Sequence, residues 1–148
     1  PDRTPEWRQA YLRQAQPMQS RAVNPIEPFA PVPMPAQALH WIRAPHPLPD
    51  DPLIHQALLA YASDWSLMSV AMRPHALSWQ QGNVQGVSLD HAMWFHRDFR
   101  LDDWLLYVID SPNAGGARGL CEGRYYARDG RLVASVMQEG MVRQIKKG

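Results

Sequence analysis

The sequence predicts an α+β domain in which one long central helix is wrapped by an antiparallel sheet, with a Pro-rich extension in front of it. Three observations carry that expectation. A strand-like run, QALHWIR at 37–43, precedes a single uninterrupted helical stretch. Four segments of strand character follow that stretch. The last two are joined by Asp129-Gly130, a strong short-range hairpin signal because both residue types tolerate positive φ in a type I′ turn. One strand, one helix and then a run of strands is the order of a helix-on-sheet layer.

Eleven of the fourteen prolines fall in the first fifty residues, and the chain does not begin with Met, which reads as a fragment of something longer. Thr4-Pro5-Glu6-Trp7 followed by RQAYLRQAQ predicts a short helix with Thr4 as cap and Pro5 at its first position. The run NPIEPFAPVPMP at 24–35 repeatedly fixes φ and removes backbone donors, so it suits an extended polyproline-like strap and is incompatible with a central strand or a helix. Residues 1–36 are therefore expected to form a linker or strap, and 37–148 the domain.

After the first strand, Asp51 can cap a helix with Pro52 at its first position, and neither Gly nor Pro interrupts the chain until Pro74. That predicts about 22 residues, or roughly 33 Å, of helix. Two neighbouring stripes on it are apolar at spacings of three and four: Leu53, Ala57, Ala60, Asp64, Leu67, Ala71, and Ile54, Leu58, Tyr61, Trp65, Met68, Met72. Asp64 is the one charge among them. The strand segments are expected at 86–96, 104–110, 118–128 and 131–144. In the third, Gly119, Cys121, Gly123, Tyr125 and Ala127 share a covered face while Arg118, Glu122, Arg124 and Arg128 take the other. Its glycines fit either room for a close helix or bulge sites.

Composition narrows the function classes. Of 148 residues, 45% are apolar and 20% charged, the balance of a globular domain. Fifteen basic and fourteen acidic residues leave a formal charge of +1, without the basic footprint of a general nucleic-acid binder. A single cysteine, Cys121, excludes an internal disulfide and a multi-thiolate zinc site, and suits a reducing cytoplasm. No run approaches the roughly 18 apolar residues of a membrane span, and no signal-peptide layout opens the chain.

Several local runs resemble the acyl-CoA thioesterase II family. They are Leu59-Ala-Tyr-Ala-Ser-Asp64, Ser88-Leu-Asp-His-Ala-Met-Trp-Phe-His-Arg97, Trp104-Leu-Leu-Tyr107, Ala117-Arg-Gly119, and Asp129-Gly-Arg-Leu-Val-Ala-Ser135 running into Gln138-Glu-Gly140. They lie in order over about residues 37–145. The resemblance implies a hot-dog fold, and, since family members fuse two such units, it implies that this is the C-terminal one. It implies acyl-CoA as substrate and no cofactor or metal. It also implies a partner, either an N-terminal hot-dog unit of a longer precursor or a second copy of this chain, with the substrate at the seam. In the family a water held by an Asp, a Thr or Ser, and a Gln attacks the thioester; the matching positions are Asp64, Ser88 and Gln138. Ser in place of the commoner Thr loses a methyl and loosens the positioning. An oxyanion donor is also required, with a backbone N–H the expected kind.

The residues speak beside the resemblance. Asp64 interrupts an apolar helix face, and a buried carboxylate needs partners. Gln138 is the one polar group on the strand face Leu132, Ala134, Val136, Gln138, Gly140, Val142. From spacing alone, Asp64 and Gln138 equally fit a buried pair that satisfies itself. A noncatalytic hot-dog unit, serving as an acyl-binding or assembly half, is the alternative function. A hydratase on the same fold would be expected to pair a His with the helix acid, and no His shares the helix face near Asp64.

Other constellations favour structural readings. On a regular strand Ser88 and Asp90 share a face while His91 points away, so they do not chain as a triad. By the same alternation His91 and His96 face opposite sides and share no metal. Trp65, Trp79, Trp94 and Phe95 fit core or interface packing, although part of this set, with Met68 and Met72, suits the lining of an acyl tunnel. Cys121 fits a buried spectator.

Overall fold

The computed structural model describes residues 18–145, and the helix expected over residues 4–16 lies outside them. Among the described residues the strands are β1 (Gln19–Ala22), β2 (Gln37–Arg43), β3 (Val84–Ser88), β4 (Ala92–Phe95), β5 (Leu105–Gly115), β6 (Arg118–Tyr126) and β7 (Leu132–Gln144). The helices are α1 (Pro52–Ser63) and α2 (Ser69–Met72), with 3-10 turns at Arg73–His75 and Trp79–Gln81. The strands make one antiparallel sheet in the order β1-β2-β5-β6-β7-β3, and β4 lies beside β3 along the same edge of β7. Both helices cover one face of this sheet, so the α+β order expected from the sequence is the observed one.

Sheet pairing starts earlier than the Pro-rich composition suggests. Gln19–Ala22 pairs with β2 from Gln19↔Arg43 to Ala22↔His40, because this stretch holds no proline between Pro17 and Pro25 and is free to donate. Residues 24–35 contain no strand or helix. They are held as a strap by polar ties: Leu39 N–H donates to Asn24 Oδ1 at 2.9 Å, Met34 N–H donates to Arg73 O at 3.1 Å, and the Ser78 hydroxyl donates to Pro28 O.

The 22-residue helix is not continuous. Asp51 caps it as expected, accepting from Leu53 N–H at 3.0 Å with Pro52 at the first position, but α1 ends after twelve residues. The chain then turns through residues 64–68, with Ser66 at φ +65°, and re-enters helix at Ser69. Ser63, Asp64 and Ser66 supply the reason. Short polar side chains compete for backbone partners and weaken helix interiors, and the Ser63 hydroxyl donates to Ala60 O at 2.7 Å. The break also changes which face is buried. His55, Leu59, Ala62 and Ser63 are buried, whereas the expected stripe through Leu53, Ala57, Ala60 and Asp64 is exposed. An apolar stripe on a helix reports a face that something covers, and the sheet of this chain covers the neighbouring one.

β6 and β7 set the depth of the core. A Cβ on Gly119 would lie 2.6 Å from the Ala71 Cβ, and one on Gly140 would lie 2.7 Å from the Met68 methyl. Both glycines therefore let α2 sit directly on the sheet. Of the two readings of the β6 glycines, close packing is the one observed, since the pairing from Arg118↔Met141 to Tyr125↔Ala134 is regular. Tyr107 and Tyr125 stack at 4.0 Å beneath α1, with Gly123 leaving room for the Tyr107 ring.

Two turns and one strand differ in detail from expectation. At the β6–β7 connection Gly130 has φ +85° while Asp129 does not enter the left-handed region, and Gly130 N–H donates to Ala127 O. This is a turn closed by a left-handed glycine rather than a two-residue type I′ loop. The type I′ turn joins β5 and β6, where Gly116 and Ala117 have φ +59° and +60°. β5 runs past Asp110 to Gly115 because Pro112 sits where the register slips between Asp110 and Asn113, and a bulge is where a strand tolerates proline. Finally, the segment expected as one strand at 86–96 is two, β3 and β4, separated by an irregular bend at residues 89–91.

Candidate active site

Three elements deliver polar side chains to one place. α1 ends at Ser63, so Asp64 stands as the C-cap residue, where the backbone turns. Ser88 is the last residue of β3, and its Cα partner on β7 is Gly140. Gln138 lies two residues before Gly140, on the same inward face of β7 by strand alternation.

The structure brings all three together. Gln138 Nε2 donates to Asp64 Oδ1 at 2.9 Å and to Ser88 Oγ at 2.8 Å. Ser88 Oγ is a longer 3.5 Å from the same Asp64 oxygen. Asp64 Oδ2 accepts no hydrogen bond from the described residues, so the carboxylate is gripped by one oxygen and offers the other. Gln138 is fully buried (0%), while Asp64 and Ser88 are exposed. The expectation of a buried Asp64 therefore fails: the helix break carries its carboxylate to the open side of the cluster. A pocket of about 230 Å³ opens beside it, walled by Met68, Trp79, Gly86, Met141 and the Asp64 and Ser88 side chains.

The neighbouring structure holds the end of α1 in place. Tyr107, buried on β5, donates its hydroxyl to Ser63 O at 2.8 Å. Burial pushes its phenol well above the usual range, so it stays a donor at physiological pH. Cys121, buried on the same sheet face, has its thiol pushed up by burial, the opposite of what an activated nucleophile needs.

One residue of the cluster escaped the sequence. His91 does not point away from Ser88, because the bend at residues 89–91 resets the strand alternation. Leu89 N–H and Asp90 N–H both donate to Glu139 O, and the Asp90 carboxylate accepts from Glu139 N–H at 2.7 Å. That turns the His91 ring toward the site, where Nδ1 contacts Gln138 Oε1 and Nε2 lies 2.8 Å from Ser63 Oγ. The available signal was Asp90, a residue type disfavoured inside strands, at the middle of the segment read as one strand. His96 lies apart from the cluster, with Nε2 2.9 Å from Ser135 Oγ on β7. Among the described residues no group of three or more His, Cys, Asp or Glu side chains is placed to hold a metal ion together, and no helix is long and apolar enough to cross a membrane.

An acyl-CoA thioesterase family profile matches residues 12–141. This chain belongs to the acyl-CoA thioesterase family. Acyl-CoA thioesterase 2 of Haemophilus influenzae is 40% identical over 116 residues, covering 78% of this chain and 41% of that protein. Human acyl-coenzyme A thioesterase 8 is 40% identical over 128 residues, covering 86% of this chain and 40% of that one. The crystal structure of an acyl-CoA thioesterase II from Mycobacterium marinum superposes with a TM-score of 0.75 at 45% identity, over 90% of this chain and 52% of its own. An Alicyclobacillus acidocaldarius protein described as having a hot-dog fold superposes at 0.66 with 18% identity, over 88% of this chain and 47% of its own, a likeness of fold. The fold is accordingly a hot-dog fold, with the sheet curled around α1. This family member spans about two fifths of the length of the first two relatives and about half of the third.

Proposed function

We propose that this chain is the catalytic C-terminal half of a two-unit acyl-CoA thioesterase and hydrolyses acyl-CoA to a free acid and CoA. The observation that carries the reading is the Asp64 carboxylate beside a pocket that Ser88 also lines: Gln138 donates to one oxygen, and the other accepts no hydrogen bond from the described residues. A water seated on that free oxygen and on the Ser88 hydroxyl has a lone pair to direct at a thioester carbonyl. Asp64 takes the water proton as the new C–O bond forms. When the tetrahedral intermediate collapses, the C–S bond breaks and the proton passes to the departing thiolate. No covalent enzyme intermediate is required.

The partner of this half is the N-terminal hot-dog unit of a longer chain or a second copy of this one. Exposed apolar side chains on α1 and around β3 and β4 support that reading. Leu53 and Tyr61 on α1 are 71% and 59% exposed, and Trp94 on β4 is 51% exposed with Val87, Leu89 and Phe95 near it in the chain. Patches of this kind on a folded unit mark association surfaces. Asp64 follows Tyr61 at the helix end and Ser88 stands between Val87 and Leu89, so two of the three polar residues adjoin these surfaces in the chain, which supports a substrate at the seam. A cytoplasmic location agrees with one buried unpaired cysteine.

A thiol-release assay across acyl-CoA chain lengths, run on this chain alone and joined to an N-terminal unit, tests the reading. Acyl-CoA-dependent thiol release by the paired form is the expected result. Acyl-CoA binding without any thiol release would instead make this a noncatalytic acyl-binding half.

A further inference from the structure

We infer that His91 is a positioning residue that sets the direction of the Gln138 amide and, through it, the aim of the Asp64 carboxylate. The inference rests on the reading of Asp64, Ser88 and Gln138 as the water-holding set.

A glutamine amide is nearly symmetric in shape, so its partners decide which end faces which way. In Gln138 both amide protons are used on one side, toward Asp64 Oδ1 and Ser88 Oγ. On the other side its Oε1 meets His91 Nδ1. A carbonyl oxygen only accepts, so that ring nitrogen carries a proton. Turned by half a rotation, the amide would set its oxygen against the Asp64 carboxylate and its NH₂ against the His91 N–H, pairing acceptor with acceptor and donor with donor. The Asp64 carboxylate at one end of the amide and the imidazole proton at the other thus both select the observed orientation, and the proton is the part that His91 supplies.

The far side of the ring fixes the ring itself. Nε2 lies 2.8 Å from Ser63 Oγ, and Ser63 Oγ lies 2.7 Å from Ala60 O. The Ser63 hydroxyl donates to Ala60 O, so its oxygen faces the ring at Nε2, while Nδ1 is the donor toward Gln138 Oε1. Ser63 immediately precedes Asp64, and its carbonyl is held from β5 by Tyr107. His91 therefore ties the buried amide on β7 to the helix end that carries the carboxylate. Both ring nitrogens are engaged, so His91 acts through Gln138 and touches no reacting atom.

Two isosteric substitutions separate the two sides of the ring. His91→Asn places an amide nitrogen where Nδ1 stands and keeps the donor to Gln138. His91→Gln carries its nitrogen out to the Nε2 position and keeps only the Ser63 side. With acyl-CoA as substrate and the full chain in its active form, kcat should fall about tenfold or more in His91→Gln and His91→Ala, the size of one lost hydrogen bond to a buried acceptor. His91→Asn should recover to within about threefold of the wild type, with KM little changed throughout; the Gln and Ala variants also lose stability, because Gln138 Oε1 is left unpaired, so kcat is read well below every melting temperature.

Equal losses of kcat in the Asn and Gln variants, or no loss in the Gln and Ala variants, read on fully folded protein, would overturn the inference. Asp64→Asn in the same assay keeps the two levels apart. If it retains full turnover, the reading of the site fails and the role of His91 fails with it. If it is inactive while His91→Gln turns over normally, only the positioning role fails.

Discussion

Gln138 is the residue at which a self-satisfied polar pair and a water-holding site make different predictions. Its amide binds Asp64 and Ser88 directly, as either requires, but only a water-holding site needs the exposed, half-occupied carboxylate that the helix break creates. If packing were its whole role, Gln138→Ala would act on stability by about 1–3 kcal/mol, the cost of an unmade buried hydrogen bond, with turnover following. The expected outcome is different: Ser88→Ala, on an exposed side chain, should leave the melting temperature nearly unchanged and still lower kcat. Gln138→Ala should lower both, and the kinetic losses of the double variant should be smaller than the product of the single ones, because the residues act as a unit. Effects on kcat that multiply independently, measured across the cycle, would speak against one shared water. At this scale the sequence was informative where a polar residue broke an apolar pattern. Asp64 and Gln138 stood out for that reason, although Asp64 is exposed rather than buried. His91 did not stand out, because its place depends on a bend that cancels the period-2 alternation, and alternation arguments cannot see across such a bend.

The elements show the same division between periodic and local information. The strand segments were legible because their alternation extends over many residues, and the cap at Asp51 because Asp-Pro is a local signature. The break after Ser63 was not legible from the absence of Gly and Pro, since it arises from side-chain competition for backbone partners. Packing of the second helical piece explains the glycines. Gly119→Ala would set a methyl 2.6 Å from the Ala71 Cβ, and both atoms belong to packed backbone-near positions, so thermal or denaturant unfolding should register a loss of about 1–3 kcal/mol, the usual cost of overpacking. The β5–β6 turn makes the opposite case. Ala117 holds φ +60°, a conformation that costs a residue bearing a Cβ about 1 kcal/mol, and its C=O accepts from Val142 N–H at 2.9 Å, a bond that a glycine backbone keeps. Ala117→Gly should raise stability by about 0.5 kcal/mol, the strain relieved less the added entropy of the unfolded glycine. A lower unfolding midpoint in that variant would contradict the type I′ assignment.

On the scale of the whole molecule, β1 at one side and β3 and β4 at the other are the edges of the sheet among the described residues, and Leu53, Tyr61, Val87, Leu89, Trp94 and Phe95 are exposed. An exposed edge next to exposed aromatic residues is unfavourable for a lone unit. The expected outcome in light scattering at micromolar concentration is a paired particle, and Trp94→Lys, placing a charge in the seam, should shift it toward monomer and lower activity in parallel. A monomer with full activity would contradict the placement of the substrate between two units. The central claim concerns Asp64, and its most direct measurement is thiol release from acyl-CoA by Asp64→Asn beside the wild type, each with its melting curve. Asn keeps the size of the side chain and an oxygen for Gln138 but cannot take up a proton. The account predicts a fall in kcat of about 100-fold or more with the melting temperature preserved; a folded variant that turns over acyl-CoA at the wild-type rate would contradict it.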